Sequence, residues 1–290
     1  MIDHPTSPTS TAECSDQPRI AVIIPCYNDG ALAAEAVATV RAPDVEVVVV
    51  NDGSTDKDTR RVLDDLAGPG VTIVHQDNAG LAAARMAGVR ATTAPYIYNL
   101  DADDLAAPGA LQAMADRLDA EPEAAVCYGD YLEFGDSELT RVVPPTIDPY
   151  RLAYTNEYPV TALFRRSALE AGGGWRPVGA GYEDWGLWMT LAERGCHGVH
   201  AGPDVLTFQK RLHGERMLAG AKADHPARYD ALRRQHPDLF AKLAAHRRAS
   251  DLSPLRKLLY PIVYGGRRRF RFEGRVKAWL DRTGIWTLRR

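Results

Sequence analysis

Short apolar runs recur through the first part of this chain, and each one ends in a cluster of polar residues. The runs occupy residues 20–24 (IAVII), 45–50 (VEVVVV), 71–75 (VTIVH) and 95–100 (PYIYNL), and stretches of helical length separate them. Continuous apolar runs of this length are typical of strands that are buried on both faces. Strands that alternate with helices through short loops predict an α/β fold with a doubly wound, mostly parallel sheet flanked by helices.

The polar clusters that close these strands indicate where a ligand would bind. In an open parallel sheet, ligands bind beyond the carboxyl ends of the strands. The clusters fall at those ends and comprise Tyr27-Asn28, Asn51-Asp52, Gln76-Asp77-Asn78 and Asp101-Ala102-Asp103-Asp104. The pattern therefore predicts one binding edge assembled from several segments of the chain.

Composition places the chain among ordinary globular proteins. Its 290 residues are 45% hydrophobic and 25% charged, and its four cysteines (Cys14, Cys26, Cys127 and Cys196) form no C-x-x-C pair. A domain of this size needs no disulfides, so we expect reduced thiols and a cytoplasmic location. The first 18 residues are polar and predict a loose leader, and no apolar window is long enough to predict a membrane span.

Charge is distributed unevenly along the chain. Residues 246–290 hold 13 Lys/Arg and 3 Asp/Glu, a balance of +10, which leaves 22 basic and 35 acidic residues, or −13, for the rest. From residue 252 onward, cations are interspersed with aromatic and aliphatic residues, a pattern that suits an anionic membrane surface. The expected membrane is the inner face of the plasma membrane. The alternative is a helical pair that packs on the acidic part of the chain. No nucleic acid is expected as a partner.

Two carboxylates at the end of the fourth strand, Asp101 and Asp103, are candidate metal ligands. Hard oxygen ligands suit Mg²⁺ or Mn²⁺, which bind through one or two carboxylates and the phosphates of a nucleotide. The alternative is a solvated turn that precedes the helix starting near Pro108.

The second and third strand ends offer candidate nucleotide contacts. Asp52 could accept a hydrogen bond from a base or a ribose, or form an Asx turn. Asn78 and Gly80 with Arg85 could place a glycine and a cation near phosphates. They could equally be a helix start with a surface arginine.

Glu183 and Asp184 open a predicted amphipathic helix over 182–193. A carboxylate there beside aromatic residues is a candidate general base. Alternatively, the helix dipole favours acids at this end, and the tryptophans belong to the core. His213 follows the last predicted strand, at 205–211, and a lone histidine is more often structural.

The order and spacing of these motifs resemble the family 2 glycosyltransferases, an inverting, nucleotide-sugar-dependent class with the GT-A fold. The resemblance runs from about Arg19 to Met217. The segments that carry it are IAVIIPCYND at 20–29, VVVVNDGSTD at 47–56, DNAGLAAARMAG at 77–88, YNLDADD at 98–104, GGGW at 172–175, GYEDWGLWMTL at 181–191 and KRLHGERM at 210–217.

The resemblance implies a role for each matching residue. Pro25, Tyr27 and Asp52 would line the nucleobase pocket. Asn78, Gly80 and Arg85 would hold the ribose and diphosphate side, while Asp101 would contact the ribose or metal-bound water. Asp103 would be the ligand of Mn²⁺ or Mg²⁺, and His213 would complete the metal shell. Asp184 would be the catalytic base with Glu183 beside it, and the acceptor side would be formed by Trp175 and Trp185.

These expectations divide the chain and name its reaction. We predict a leader over 1–18, a GT-A catalytic domain over 19–222 (nucleotide half 19–104, acceptor half 105–222) and a basic helical extension over 223–290. The expected reaction moves a sugar from a nucleotide-diphosphate sugar, with uridine the favoured base, to the hydroxyl of a glycan or lipid-linked acceptor in cell-surface or secreted polysaccharide synthesis. A sugar-phosphate nucleotidyltransferase or a non-catalytic nucleotide-sugar-binding scaffold are the alternatives. A dehydrogenase lacks support because G-x-G-x-x-G is missing after the first strand.

Overall fold

The computed structural model describes residues 17–178, 181–212 and 224–264. Its strands β1 to β11 are Ile20–Cys26, Val45–Asp52, Val71–Gln76, Tyr96–Asn99, Leu105–Ala106, Ala124–Tyr128, Tyr131–Gly135, Leu139–Arg141, Leu163–Arg165, His197–His200 and Phe208–Leu212. Its helices α1 to α11 are Gly30–Val40, Lys57–Leu66, Leu81–Arg90, Ala110–Ala120, Pro149–Leu152, Arg166–Ala171, Glu183–Glu193, His225–Gln235, Pro237–Ala241, Leu243–Ala249 and Pro254–Tyr264.

A seven-stranded sheet in the order β10-β6-β9-β4-β1-β2-β3 forms the centre of the described chain. β1 pairs in parallel with β2 and β4, β2 with β3, and β6 with β10. β9 alone in this sheet runs antiparallel to both of its neighbours, β4 and β6. The mostly parallel sheet flanked by helices is as predicted.

Alternation along β1 explains why the sheet is covered on both faces. Ile20, Val22 and Ile24 pack in one apolar cluster, against the helices that cover that face. Ala21 and Ile23 point the other way, into the cluster that contains α3 and α7. Each isoleucine is fully buried, and burying a side chain of this size contributes about 1.5–3 kcal/mol to folding.

A second, four-stranded sheet in the order β5-β11-β7-β8 was not predicted. The sequence predicts a single strand over 124–134, and the structure divides it into β6 and β7, which belong to different sheets. The division falls at Asp130, a buried residue whose Oδ1 accepts a hydrogen bond from the Val143 backbone N–H at 2.9 Å. A buried carboxylate needs such donors, so the chain turns away from the large sheet there.

Three other predicted strands occur with shifted bounds. The prediction over 141–143 corresponds to β8, that over 160–164 to β9, and that over 205–211 to β11. Boundaries of short strands depend on their partners in the sheet more than on local sequence.

The helices after residue 224 pack on the rest of the chain at two places. Tyr229 and Leu232 of α8 and Leu239 of α9 lie in the same apolar cluster as Trp185 and Trp188. α11 packs Tyr260 and Val263 beside Tyr150 of α5. Within the described ranges, no helix has the length and apolar character needed to cross a bilayer. The predicted leader up to residue 16 and the basic segment 265–290 lie outside the described residues.

Candidate active site

The carboxyl ends of β4, β1 and β2 meet at one edge of the large sheet because these neighbouring strands are parallel. Tyr27 follows β1, Asp52 ends β2 and Asp101 lies two residues beyond β4. Pro25 is buried within β1, whereas the Tyr27 side chain is exposed at the edge. The strand-end residues predicted to share a site are therefore brought to the same edge.

Hydrogen bonds among the loops after β1 and β2 build one side of this edge, which we call the loop wall (Asn28, Asn51, Asp52 and Ser54). The Asn28 carboxamide oxygen accepts from the backbone N–H groups of Thr55 at 2.8 Å and Asp56 at 3.0 Å. In return, Ser54 Oγ accepts from the Asn28 backbone N–H at 3.0 Å. The Asn51 side chain accepts from the Ser54 backbone N–H at 2.9 Å. The side chains of Asn28, Asn51 and Ser54 thus fix their part of the loop wall through neutral hydrogen bonds.

Asp52 joins the loop wall to the start of α3. Its Oδ1 accepts from Gln76 Nε2 at 2.7 Å and from the Ala79 backbone N–H at 2.8 Å, and its Oδ2 accepts from the Gly80 backbone N–H at 2.9 Å. This carboxylate therefore already holds the loop that carries Asn78 and Gly80. A bound base would add to these bonds or replace one of them.

Gly53 is required where the two loops pass each other. Its φ is +70°, and a Cβ at this position would lie 2.5 Å from the Asn78 backbone nitrogen. A side chain is excluded both by the left-handed conformation and by the close approach. This contact places the exposed Asn78 against the loop wall.

The other side of the edge is a charged cluster formed by Arg85, Asp101, Glu183 and Asp184. The Arg85 guanidinium is only 1% exposed. It donates from Nη2 to Asp101 Oδ1 at 2.8 Å and from Nη1 to Glu183 Oε1 at 3.0 Å. One arginine thereby connects the end of β4 to the start of α7, and its partner Glu183 lies 98 residues further along the chain.

Asp184 lies beside this bridge at the first turn of α7. Its Oδ2 accepts from Asn156 Nδ2 at 3.0 Å, and its Oδ1 accepts from the Trp185 backbone N–H at 2.7 Å. The helix N-terminus favours negative charge through its dipole. Carboxylates predicted from two distant motifs, Asp101 and the pair 183–184, are thus brought together.

The two aspartates of the cluster differ in pKa. Burial raises the pKa of Asp184 to about 6, and the nearby Glu183 charge adds to the rise. Burial would also raise the pKa of Asp101, but the adjacent Arg85 outweighs it and the pKa is lowered. Asp101 is therefore ionised near neutral pH, whereas Asp184 can exchange a proton there.

Lys210 is a site residue that the sequence analysis missed. It lies on β11 of the small sheet. Burial lowers the pKa of Lys210, but Asp104, Tyr131 and Asp101 outweigh this effect and the pKa is raised. Its charge also lowers the pKa of Asp184. A lysine near the end of a predicted strand was the one sequence feature that could have indicated a site residue here. The pairing of β11 with β7, which brings Lys210 to the site, could not be predicted from the sequence.

Asn156 and Asp104 are two further residues without an assigned role in the sequence analysis. Asn156 orients Asp184 through the bond described above. Asp104 is buried, and its Oδ1 accepts from the Arg211 backbone N–H at 2.9 Å. Burial, with the charges of Asp101 and Asp103, raises its pKa well above the usual range. Asp104 thus attaches β11 of the small sheet to the turn that carries Asp101 and Asp103.

Asp103 is the predicted metal ligand, and its donor chemistry fits the expected ion. Its side chain is half-buried, and its backbone oxygen accepts from Arg211 Nε at 3.1 Å. A single oxygen donor at the ligand edge suits Mg²⁺ or Mn²⁺ that arrives with a diphosphate. Among the residues that the structure describes, no group of three or more His, Cys, Asp and Glu forms a preformed metal cage. The other predicted ligand, His213, lies outside the described residues.

Three of the predicted assignments meet a different environment in the structure. Trp175 and Trp185 are buried in the core, and Trp185 Nε1 donates to the Leu152 backbone oxygen at 2.8 Å, so neither offers a ring face to an acceptor. For Trp185, this burial agrees with the alternative that the tryptophans of the predicted helix belong to the core, whereas no such alternative was given for Trp175. Arg85, expected beside phosphates, instead spends its hydrogen bonds on Asp101 and Glu183.

The mostly parallel seven-stranded sheet flanked by helices is an α/β fold of the GT-A type. Solved structures show the same architecture. Staphylococcus aureus TarS in complex with UDP-GlcNAc matches 82% of this chain and 69% of its own at 17% identity, with a TM-score of 0.61. The mannosyltransferase PcManGT from Pyrobaculum calidifontis, in complex with GDP-Man and Mn²⁺, matches 84% of this chain and 79% of its own at 24% identity, with a TM-score of 0.51.

Residues 21–173 match the family described as glycosyl transferase family 2. The chain belongs to this family, and the predicted family and enzyme class, a glycosyltransferase, are confirmed. The uncharacterized glycosyltransferase EpsJ of Bacillus subtilis (strain 168) is 27% identical over 140 residues, which are 47% of this chain and 40% of EpsJ. The uncharacterized glycosyltransferase YibD of Escherichia coli (strain K12) is 27% identical over 61% of this chain and 48% of its own. The chain thus spans less than half the length of these relatives.

Proposed function

We propose that this chain transfers a sugar, with inversion, from a nucleoside-diphosphate sugar to an acceptor hydroxyl. The observation that carries the proposal is the Arg85 bridge, which joins Asp101 at the end of β4 to Glu183 beside Asp184. It sets a proton-accepting carboxylate next to the edge where nucleotides bind in this class of sheet.

The donor would lie along the loop wall. Tyr27 offers an exposed ring for stacking on a base, and Pro25 and Asp52 would line the same nucleobase pocket. Asn78 and Gly80 would hold the ribose and diphosphate side. We propose a uridine nucleotide, which the UDP-GlcNAc complex of TarS supports. Lys210, whose charge interacts with Asp101 and Asp104, would supply a positive charge on the diphosphate side.

Asp184 would act as the general base. It takes the proton from the acceptor hydroxyl as that oxygen forms its bond to the anomeric carbon, and the bond from this carbon to the diphosphate oxygen breaks on the opposite face. With a pKa of about 6, Asp184 is ionised at pH 7 and is more basic than an ordinary aspartate. Asn156 holds one carboxylate oxygen in place during this step.

A divalent cation, Mn²⁺ or Mg²⁺, bound with the donor through Asp103, would offset negative charge on the leaving diphosphate. The Mn²⁺ in the PcManGT complex supports this choice of ion. His213 stays a prediction as a second ligand.

The biological setting is also proposed. We place the catalytic domain at 19–222 and the reaction in the cytoplasm, at the inner face of the membrane, where it would build cell-surface or secreted polysaccharide on a glycan or lipid-linked acceptor. The similarity to relatives named chondroitin synthase (Escherichia coli) and hyaluronan synthase (Pasteurella multocida) supports this setting. A nucleotidyltransferase or a non-catalytic scaffold are the competing functions.

A donor panel tests the reaction. UDP-, GDP- and dTDP-sugars are incubated with the chain and Mn²⁺ or Mg²⁺, and release of the nucleoside diphosphate is measured together with the thermal shift. We expect release from one class of donor. Pyrophosphate release from a sugar phosphate and a nucleoside triphosphate would instead establish the nucleotidyltransferase, and binding without release would establish the scaffold.

Two variants separate the roles of the carboxylates. Asp184→Asn should lower turnover by roughly 10²–10⁴-fold while the thermal shift with nucleoside diphosphate is kept. Asp103→Ala should remove the increment in nucleotide binding that the metal adds. Asp65→Asn, an exposed aspartate on α2, is the matched control and should leave both measurements unchanged. Full turnover by Asp184→Asn would refute the general-base assignment.

A further inference from the structure

An apolar stripe remains exposed on the last described helix, α11. Leu255, Leu258 and Ile262 are 50%, 57% and 62% exposed, and they are three of the five large hydrophobic side chains exposed among the described residues. At about 100° per residue, these three positions fall within about 60° of one another on the helix. They therefore form one continuous stripe, which we call the α11 stripe.

The opposite face of α11 is firmly held. Tyr260 and Val263 are buried, and Tyr260 packs near Tyr150 with ring centroids 6.1 Å apart. The Tyr150 hydroxyl donates to the Lys257 backbone oxygen at 2.7 Å. Just before the helix, Asp251 pairs with Arg151 at 3.3 Å. These contacts fix the rotation of α11 about its axis. The α11 stripe therefore faces away from the described residues on which the helix packs.

Cations predominate in the sequence around the α11 stripe. Between residues 242 and 257 the chain carries five cations and one acid: Lys242, Arg247, Arg248, Arg256 and Lys257 against Asp251. Lys242, Arg247 and Arg248 are exposed on and beside α10. The adjoining segment 265–290 adds nine Lys/Arg and two Asp/Glu by sequence. An aliphatic stripe with neighbouring cations complements a surface whose outer layer is anionic and whose next layer is apolar.

We propose that the α11 stripe docks this chain on an anionic lipid bilayer, with Leu255, Leu258 and Ile262 inserted among the acyl chains and the flanking cations at the headgroups. A second copy of the chain is a poorer occupant. Three half-exposed side chains fall well short of the roughly 800 Å² per partner of a stable interface, and two copies would bring like charges together. A membrane offers anionic charge and an apolar layer at once.

The stripe and the candidate active site are connected through one short segment. α5 and the turn after it, residues 149–158, pack on α11 through Tyr150 and Tyr154, and the same segment supplies Asn156 to Asp184. Docking would therefore hold the candidate active site at a defined height above the bilayer. This last point rests on the proposed function, whereas membrane docking itself does not.

Vesicle flotation of the full-length chain tests the proposal. Vesicles of phosphatidylcholine alone are compared with vesicles that also contain phosphatidylglycerol, at low and high salt. The triple variant Leu255→Glu, Leu258→Glu, Ile262→Glu is compared with wild type. The matched control is Leu139→Glu on β8, which changes another exposed leucine, 48% exposed and outside α11.

We expect wild type and Leu139→Glu to float with the anionic vesicles and the triple variant to lose at least about tenfold in apparent partitioning. An unchanged thermal midpoint and unchanged binding of nucleoside diphosphate would show that the triple variant is folded. Equal flotation of triple variant and wild type would overturn the proposal, because the basic segment alone would then bind lipid. A concentration-dependent dimer that the triple variant abolishes, without flotation of wild type, would also overturn it in favour of a second copy.

Discussion

The two sides of the candidate active site are held together by different forces. The loop wall is fixed by hydrogen bonds in which backbone N–H groups donate to the side chains of Asn28, Asn51, Ser54 and Asp52. The charged cluster is fixed by one buried guanidinium between two carboxylates. The first arrangement loses little when a single bond is lost, while the second depends on charge balance in a dry environment.

This difference assigns rigidity and reactivity to separate regions. Asn28, Asn51 and Ser54 carry no ionisable group, so the hydrogen bonds that they accept from backbone N–H groups do not change with pH across the physiological range. Within the charged cluster, the pKa of Asp184 is raised to about 6, and a proton can be taken up or released there. A surface that recognises a ligand is thus built apart from the group that reacts.

Loss of the central cation should have the largest effect on stability. Arg85→Met keeps most of the side-chain volume but leaves Asp101 and Glu183 without their partner, and we expect unfolding free energy to fall by about 3–5 kcal/mol in urea denaturation. Arg61→Met removes an arginine that pairs with Asp58 and Asp65 on the surface of α2 and should cost less than about 1 kcal/mol. Equal losses for the two variants would show that the cluster is not held by charge balance.

A smaller loss of unfolding free energy is expected when the close contact between Gly53 and Asn78 is disturbed. Gly53→Ala combines a left-handed backbone with a Cβ 2.5 Å from the Asn78 nitrogen, and should cost about 2–3 kcal/mol. Gly70→Ala is the control, since its φ is +76° but its nearest neighbour would be 3.9 Å away. It should cost only about 1 kcal/mol in the same measurement. Nucleotide affinity should fall for Gly53→Ala and stay unchanged for Gly70→Ala.

The reactive carboxylate should be a source of instability at neutral pH. Because the folded-state pKa of Asp184 is raised, the folded state binds its proton more tightly than the unfolded chain, and stability from this group is lost as pH rises from about 4 through about 6. Asp184→Asn should therefore stabilise the chain by about 1–2 kcal/mol at pH 8 and lose that gain below pH 4. Thermal unfolding at both pH values measures the difference. A pH-independent effect would contradict the raised pKa.

The smallest effect should come from one neutral bond of the loop wall. Ser54 is fully buried and accepts from the Asn28 backbone N–H, so Ser54→Ala should cost about 1 kcal/mol, with no dependence on pH between 5 and 8. Ser167→Ala, at an exposed position of α6, should change stability by less than about 0.5 kcal/mol. A loss for Ser54→Ala as large as that for Arg85→Met would remove the contrast between the two regions.

Sequence reasoning located strands β1 to β4 of the large sheet because continuous burial leaves an unambiguous pattern, whereas β10 at the edge of this sheet was not predicted. The apolar runs of β1 and β2 could satisfy their hydrophobic surface only in the middle of a sheet, and parallel order then brings Asp52 and Asp101 to one edge. The convergence of Asp101 with Glu183 came from the resemblance to a known family, not from the pattern of the residues alone.

The small sheet and the tryptophans lay beyond such reasoning. β7 and β11 are five residues each and pair across a long separation, so their register, and with it the position of Lys210, is set by tertiary contacts. In α7, seven of eleven residues are buried, which leaves no polar face to indicate which aromatic residue meets solvent. The position of Trp185 could therefore not be decided from periodicity.

The single reversed strand, β9, has a consequence for how the general base is positioned. β9 runs away from the ligand edge, and the chain returns to that edge before α7 begins. The segment before β9 and the first turn of α7 therefore lie on the same side of the sheet. Asn156 and Asp184, 28 residues apart, can touch for this reason. If β9 were parallel to β4 and β6, the segment that carries Asn156 would lie at the opposite edge of the sheet, too far from Asp184 to hydrogen-bond to it.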